Sequence, residues 1–351
     1  MAEGSEGIAA ARALAPPPAG SPRHAVQPLP LGIPVRFECD APELIAAAQA
    51  VYGDPWAGPA PAPASGLRGP TVPRVVLLLG TQRAAAPVSD TDAALRITAN
   101  RDLLLLAAPD ALGRAQRTGM TAVARLAPSL LTAHERLRAV LDALVLFLLT
   151  PLDRQPLHAA AVAHGGSGLL LTGPGGVGKS TLAYAAQRAG LDVLTDDTAY
   201  VQLEPALRVW TLGRPLHLAP EAARWFPELA DRPTTLRANG KWRIAVTPWT
   251  LPPGPQGGRR GRPPTETAVR TWGLCLVERA PGAAPAAIPI AAEEAVARVL
   301  ADLEPGFDVW RDTIGARVAA LARSGAWRLR VGDDPRAAAS IIRELLDRVA
   351  R

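Results

Sequence analysis

Lysine is nearly absent from this chain of 351 residues: two stand against thirty-six arginines. Aromatic residues reach only 4%. With Ala and Pro also abundant, this pattern looks like a GC-rich coding bias, so the +6 formal charge is largely compositional. The basic residues are dispersed and lack interleaved aromatics, which argues against a nucleic-acid surface. Only two cysteines occur, Cys39 and Cys275. They lie far apart, outside any Cys-x-x-Cys pair or histidine spacing, so a disulfide framework and a zinc site of ordinary spacing are excluded and free thiols are expected. No apolar run is long enough to span a bilayer; the strongest, Ala139–Leu149, is interrupted by Asp142 and reads as a buried helix. Glu3 and Glu6 stand where a signal peptide needs positive charge, and a cytoplasmic location without membrane attachment is expected.

What is present falls into three stretches. Residues 1–30, rich in Ala, Pro and Gly, are expected to be disordered. Residues 31–150 read as a small β-rich α+β domain, with strands around Ile33–Cys39, Val75–Leu79, Ala94–Thr98 and Leu103–Ala107 and helices at Pro42–Val51 and Thr132–Leu149. Residues 151–351 read as an α/β domain. There Leu157–Ala163 and Leu169–Thr172 form a hairpin, and Lys179–Ala189 is a helix followed by a strand at Leu191–Leu194. Pro335–Val349 is a closing amphipathic helix. Asn239-Gly240 signals a hairpin turn and Gly254–Pro264 a loop.

The first lysine, Lys179, belongs to Gly173-Pro174-Gly175-Gly176-Val177-Gly178-Lys179-Ser180, a complete phosphate-binding loop signature placed between a strand and a helix. Such a loop turns backbone N–H groups toward a polyphosphate, and the helix behind it adds its positive dipole end. A compact ammonium reaches the β- and γ-phosphates, Ser180 offers an oxygen to Mg²⁺, and Thr181 completes the nucleotide set. The strand after the helix runs into Asp196-Asp197. In a parallel α/β sheet its end lies beside the bound phosphates. One carboxylate there would hold Mg²⁺ and the other accept the proton of an attacking hydroxyl; the alternative for either is a turn cap.

His158 precedes the loop on the neighbouring strand, either as a hydrogen-bonded group in the sheet or facing the phosphates. Lys241, the only other lysine, follows the Asn239-Gly240 turn and is a second-rank contact for phosphate or substrate, or an ordinary exposed hairpin residue. Arg214 is weighed in the same way, as a substrate contact or one arginine among many.

The sequence from His158 through Gly173–Ser180 to Gly190-Leu-Asp-Val-Leu-Thr-Asp-Asp197 resembles the catalytic domain of the HPr kinase/phosphorylase family over roughly residues 157–203. More loosely, Arg214-Pro215-Leu216, Asn239-Gly240-Lys241 and Leu274–Arg279 resemble HPr-kinase-related proteins of peptide-modification clusters, lasso-peptide precursor kinases among them. The resemblance implies a P-loop fold akin to phosphoenolpyruvate carboxykinase, preceded by a smaller N-terminal domain. It also implies ATP- and Mg²⁺-dependent phosphorylation of a serine on a peptide or small protein, and a homo-oligomer. Lys179, Ser180, Asp196, Asp197 and His158 match the family's nucleotide, metal, acidic and histidine positions. Its Glu-Ile-Arg-Gly-x-Gly-Ile signature has no counterpart after Asp197, which points away from HPr as acceptor. A serine kinase is therefore expected; a small-metabolite phosphotransferase, or a non-catalytic ATP-binding protein that recognises a precursor peptide, are the alternatives.

Overall fold

The computed structural model describes residues 2–15, 24–39, 41–52, 72–80, 95–236, 242–246, 269–303 and 311–350. It is a mixed α/β structure in two compact units, Met1–Leu152 and Asp153–Arg351. Among the described residues no helix is long and apolar enough to cross a membrane.

The first unit contains helix α1 (Ala2–Ala13), strands β1 (His24–Val26) and β2 (Arg36–Cys39), helix α2 (Pro42–Tyr52), strands β3 (Arg74–Leu79), β4 (Arg96–Ala99), β5 (Leu103–Ala108), β6 (Ala111–Gln116) and β7 (Thr121–Leu126), and helix α3 (His134–Leu149). Its seven strands form one sheet in the order β1-β2-β3-β7-β6-β5-β4, parallel where β3 meets β2 and β7 and antiparallel elsewhere. α3 buries Leu137, Val140, Leu141, Leu144, Val145 and Leu148, the one-sided spacing of an amphipathic helix. The disorder expected over 1–30 is corrected for the described residues 2–15 and 24–30. Alanine and glutamate favour a helix at Ala2–Ala13, and Ala11 and Leu14 are buried with Val76, Leu105, Leu112 and Val123. β1 then pairs with β2. One buried carboxylate, Glu38, bridges Arg36 at 2.7 Å and Arg74 at 2.5 Å.

The second unit continues with β8 (Gln155–His164), β9 (Ser167–Thr172), α4 (Lys179–Arg188), β10 (Asp192–Thr195), β11 (Thr198–Gln202), β12 (Arg208–Trp210), β13 (Leu216–Leu218), β14 (Thr234–Leu236), β15 (Trp242–Val246), β16 (Thr271–Arg279), β17 (Ala286–Pro289), α5 (Ala292–Ala301), α6 (Arg311–Ala322), β18 (Ala326–Val331) and α7 (Pro335–Val349). The main sheet runs β12-β11-β8-β9-β16-β18-β17, with β10 also on β8. α4 and α7 pack on one face with the apolar side of β13 and β15. α5 and α6 cover the other.

The sheet is not uniformly parallel. β9, β16 and β18 are parallel neighbours, but β8 runs antiparallel to β9 and to both β10 and β11. Opposite β8 the register passes from Thr195↔Ala161 to Thr198↔His158 without a break, so β10 and β11 form one line along β8. Asp196 and Asp197 follow the end of β10, as expected, and join it to β11 on the same line. Their level is set by β8: Ala159 pairs with Thr172, the last residue of β9, and its N–H donates to the Asp197 carbonyl at 3.0 Å.

Candidate functional site

The turn after β9 carries Gly173–Gly178 directly into α4, with Gly178 as the N-cap residue. Gly173 has φ +146°, and a Cβ built there would stand 2.8 Å from the Val277 carbonyl oxygen of β16. Only glycine lets the loop leave β9 this close to the next strand. Pro174, Gly175 and Gly176 are exposed, whereas Val177 tucks back, its N–H donating to the Pro174 carbonyl at 3.3 Å.

Lys179 is buried at 5% exposure, and its ammonium donates to the carbonyls of Gly173 at 2.7 Å and Pro174 at 3.2 Å. The charge is thus held by the loop's own carbonyl dipoles, centred on the loop where a phosphate needs it. Ser180 and Thr181 follow in the first turn of α4, both half-buried.

The two aspartates differ sharply. Asp196 is 4% exposed; it accepts the backbone N–H of His217 at 2.9 Å and hydrogen bonds to Ser180. Burial pushes its carboxyl above the ordinary value; the His217 N–H and Ser180 hydroxyl pull the other way, and the neighbouring Asp197 charge pushes it up again. Asp197 projects outward, its side chain 74% exposed, with Oδ1 3.6 Å from His158 Nε2 and Oδ2 accepting from the Thr198 hydroxyl at 3.3 Å. Ser180 and Asp196 make a hard-oxygen pair of the kind Mg²⁺ takes, one that leaves its other positions to water and phosphate. Asp197 and His158 make an accessible acid–base pair.

β13 is the element that sequence reading did not supply. Its His217 N–H fixes Asp196, a contact that any residue with a backbone amide could make. Arg214 is half-buried three residues upstream of that contact, on the segment leading into β13. The structure therefore brings Lys179, Ser180 and Asp196 together at the head of α4, with Asp197 and His158 at the same end of the sheet. Lys241, the Asn239-Gly240 turn and the expected loop at 254–264 lie outside the described residues. Arg279 was not singled out in the sequence either. It ends β16 beside the loop, and its Nε donates to the Val177 carbonyl at 3.4 Å. A charged residue closing a buried parallel strand at the sheet's carboxyl edge is the signal that points to it. Comparison with protein-family models and with curated proteins yields no match for this chain.

Proposed function

We propose that the chain is an ATP- and Mg²⁺-dependent phosphotransferase of the HPr-kinase-like P-loop type, acting on a serine hydroxyl of a peptide or small protein. The observation that carries this reading is the division of labour at the acidic pair: one carboxylate buried against Ser180, the other exposed beside His158. A P-loop protein that only binds nucleotide has no need of the second.

The loop amides and α4 would hold the polyphosphate, and Lys179 would exchange its carbonyl partners for phosphate oxygens. Ser180 and Asp196 would hold Mg²⁺, whose charge offsets that of the phosphates and relieves the cost of the buried carboxylate. Asp197 accepts the proton of the acceptor hydroxyl as its oxygen bonds to the γ-phosphorus. The bond from that phosphorus to the β–γ bridging oxygen breaks, and ADP leaves with the electron pair. His158 orients the Asp197 carboxylate.

The test is incubation with γ-labelled ATP, Mg²⁺ and peptides encoded beside the gene, followed by identification of the labelled residue. Phosphoserine on a peptide, lost in Lys179→Ala and Asp197→Asn, is the expected result. Label recovered in a small metabolite, or equal labelling by both variants, overturns the reading.

A further inference from the structure

We infer that Arg279 is a ligand of the nucleotide polyphosphate, closing the side of the phosphate loop opposite the acidic pair. This rests on the nucleotide-binding reading above and adds a residue to it. Three observations lead there.

The first is register. β16 pairs with β9 up to Leu276↔Thr172. Val277, Glu278 and Arg279 therefore continue past the end of β9 and run alongside the loop.

The second is the alternation of the strand. Cys275 and Val277 belong to the core on the α4 face, and Leu274 and Leu276 to the core on the α5 face. Glu278 follows the latter pair and turns toward α5, where it meets Arg298 at 3.0 Å. Arg279 follows the former. Its Nη2 lies 4.0 Å from where a Cβ on Gly178 would stand, against the first turn of α4.

The third is charge balance. Besides Arg279, this end of the sheet carries Arg298, Arg328 and Arg330, the last in register opposite Glu278. Two of them, Arg298 at 3.0 Å and Arg328 at 3.8 Å, share the Glu278 carboxylate. Arg279 is exposed, and among the described residues no carboxylate pairs with it and its side chain makes a single long hydrogen bond, to a loop carbonyl. An unmatched guanidinium laid against a helix N-terminus whose N–H groups already open toward an anion makes a composite anion site. Phosphate oxygens fit its planar fork.

The experiment measures binding of ATP and of adenosine to the wild-type chain, Arg279→Ala, Arg279→Lys and the exposed control Arg330→Ala, by calorimetry or a fluorescent analogue, with thermal unfolding run on each. Arg279→Ala is expected to weaken ATP binding about tenfold or more, as loss of a charge-assisted hydrogen bond does, with its unfolding temperature unchanged. Partial recovery in Arg279→Lys and unchanged adenosine binding complete the expected pattern. Wild-type affinity for ATP in Arg279→Ala overturns the inference while leaving nucleotide binding intact. An equal loss of ATP and adenosine overturns it too, since the residue would then contact the base. A wild-type chain that binds neither ligand overturns the underlying reading instead.

Discussion

Replacing Gly173 and Gly176 by alanine, one at a time, tests the loop geometry without assuming any reaction. Both have positive φ, +146° and +81°, so an alanine at either is strained by roughly 1–2 kcal/mol. Their surroundings differ. At Gly176 nothing lies within 4 Å of the added Cβ, so strain is the whole cost. At Gly173 the Cβ meets the Val277 carbonyl oxygen at 2.8 Å, a backbone atom of a strand paired there with β18, which cannot rotate aside. Overpacking of that kind adds about 1–3 kcal/mol. Gly173→Ala should therefore lose about 3 kcal/mol and Gly176→Ala about half as much. For a unit of this size each kcal/mol lowers the unfolding temperature by roughly 2–4 °C. Calorimetry without ligand reads both. Equal destabilisation by the two variants would refute the argument, because it would mean that β16 does not constrain the start of the loop.

The acidic pair should separate by phenotype: Asp197→Asn should cut turnover by about 10²–10⁴ with nucleotide affinity kept, whereas Asp196→Asn should abolish the Mg²⁺ dependence of nucleotide binding. Single-turnover kinetics and Mg²⁺ titrations distinguish them. In the first unit, the Arg74 hydrogen bond chiefly holds the Glu38 carboxyl below its ordinary value of 4.5, with Arg36 adding to it against burial. A depressed carboxyl stabilises above its unfolded value and loses that contribution as pH falls through the folded one, so stability should decline below about pH 4.5. Glu38→Gln should be about 1–2 kcal/mol less stable at neutral pH and show less of that decline. Burial, with the Glu228 charge and hydrogen bond, raises Tyr184 to about 12. A raised phenol stabilises below its unfolded value of 10 and loses that contribution between 10 and 12, so ultraviolet titration at pH 11 should show one more un-ionised tyrosine in the wild-type chain than in Tyr184→Phe.

Elements whose burial pattern is local were legible in the sequence. α7 buries Ala338, Ala339, Ile342, Leu345, Leu346 and Val349, and that spacing alone marks its inner face. β6 and β7 were not legible. Their Ala, Gly, Arg and Gln residues carry little strand preference, and they become strands because β5 and β3 flank them on either side. α1 shows the same effect from the other direction. Its sequence has no strong apolar stripe, and it is held through Ala11 and Leu14 by residues far along the chain.

For the candidate site the dividing line lies between identity and role. Strand, loop and helix are consecutive, so Gly173–Ser180 could be read directly, and Asp196-Asp197 stood out as an acidic pair. Which aspartate meets Ser180 depends on where the pair falls in the line along β8 and on a backbone amide from β13, neither of which leaves a trace in residue type. The arginine bias acted in opposite directions on the two cations beside the loop. It made Lys179 conspicuous, because a lysine that stands among thirty-six arginines is rare. It hid Arg279, because one arginine among so many carries no information until strand register places it next to Val177 and Gly178. Strand register and alternation, not residue type, set Arg279 against the loop, while Glu278 turns to the other face of the sheet and meets Arg298 and Arg328.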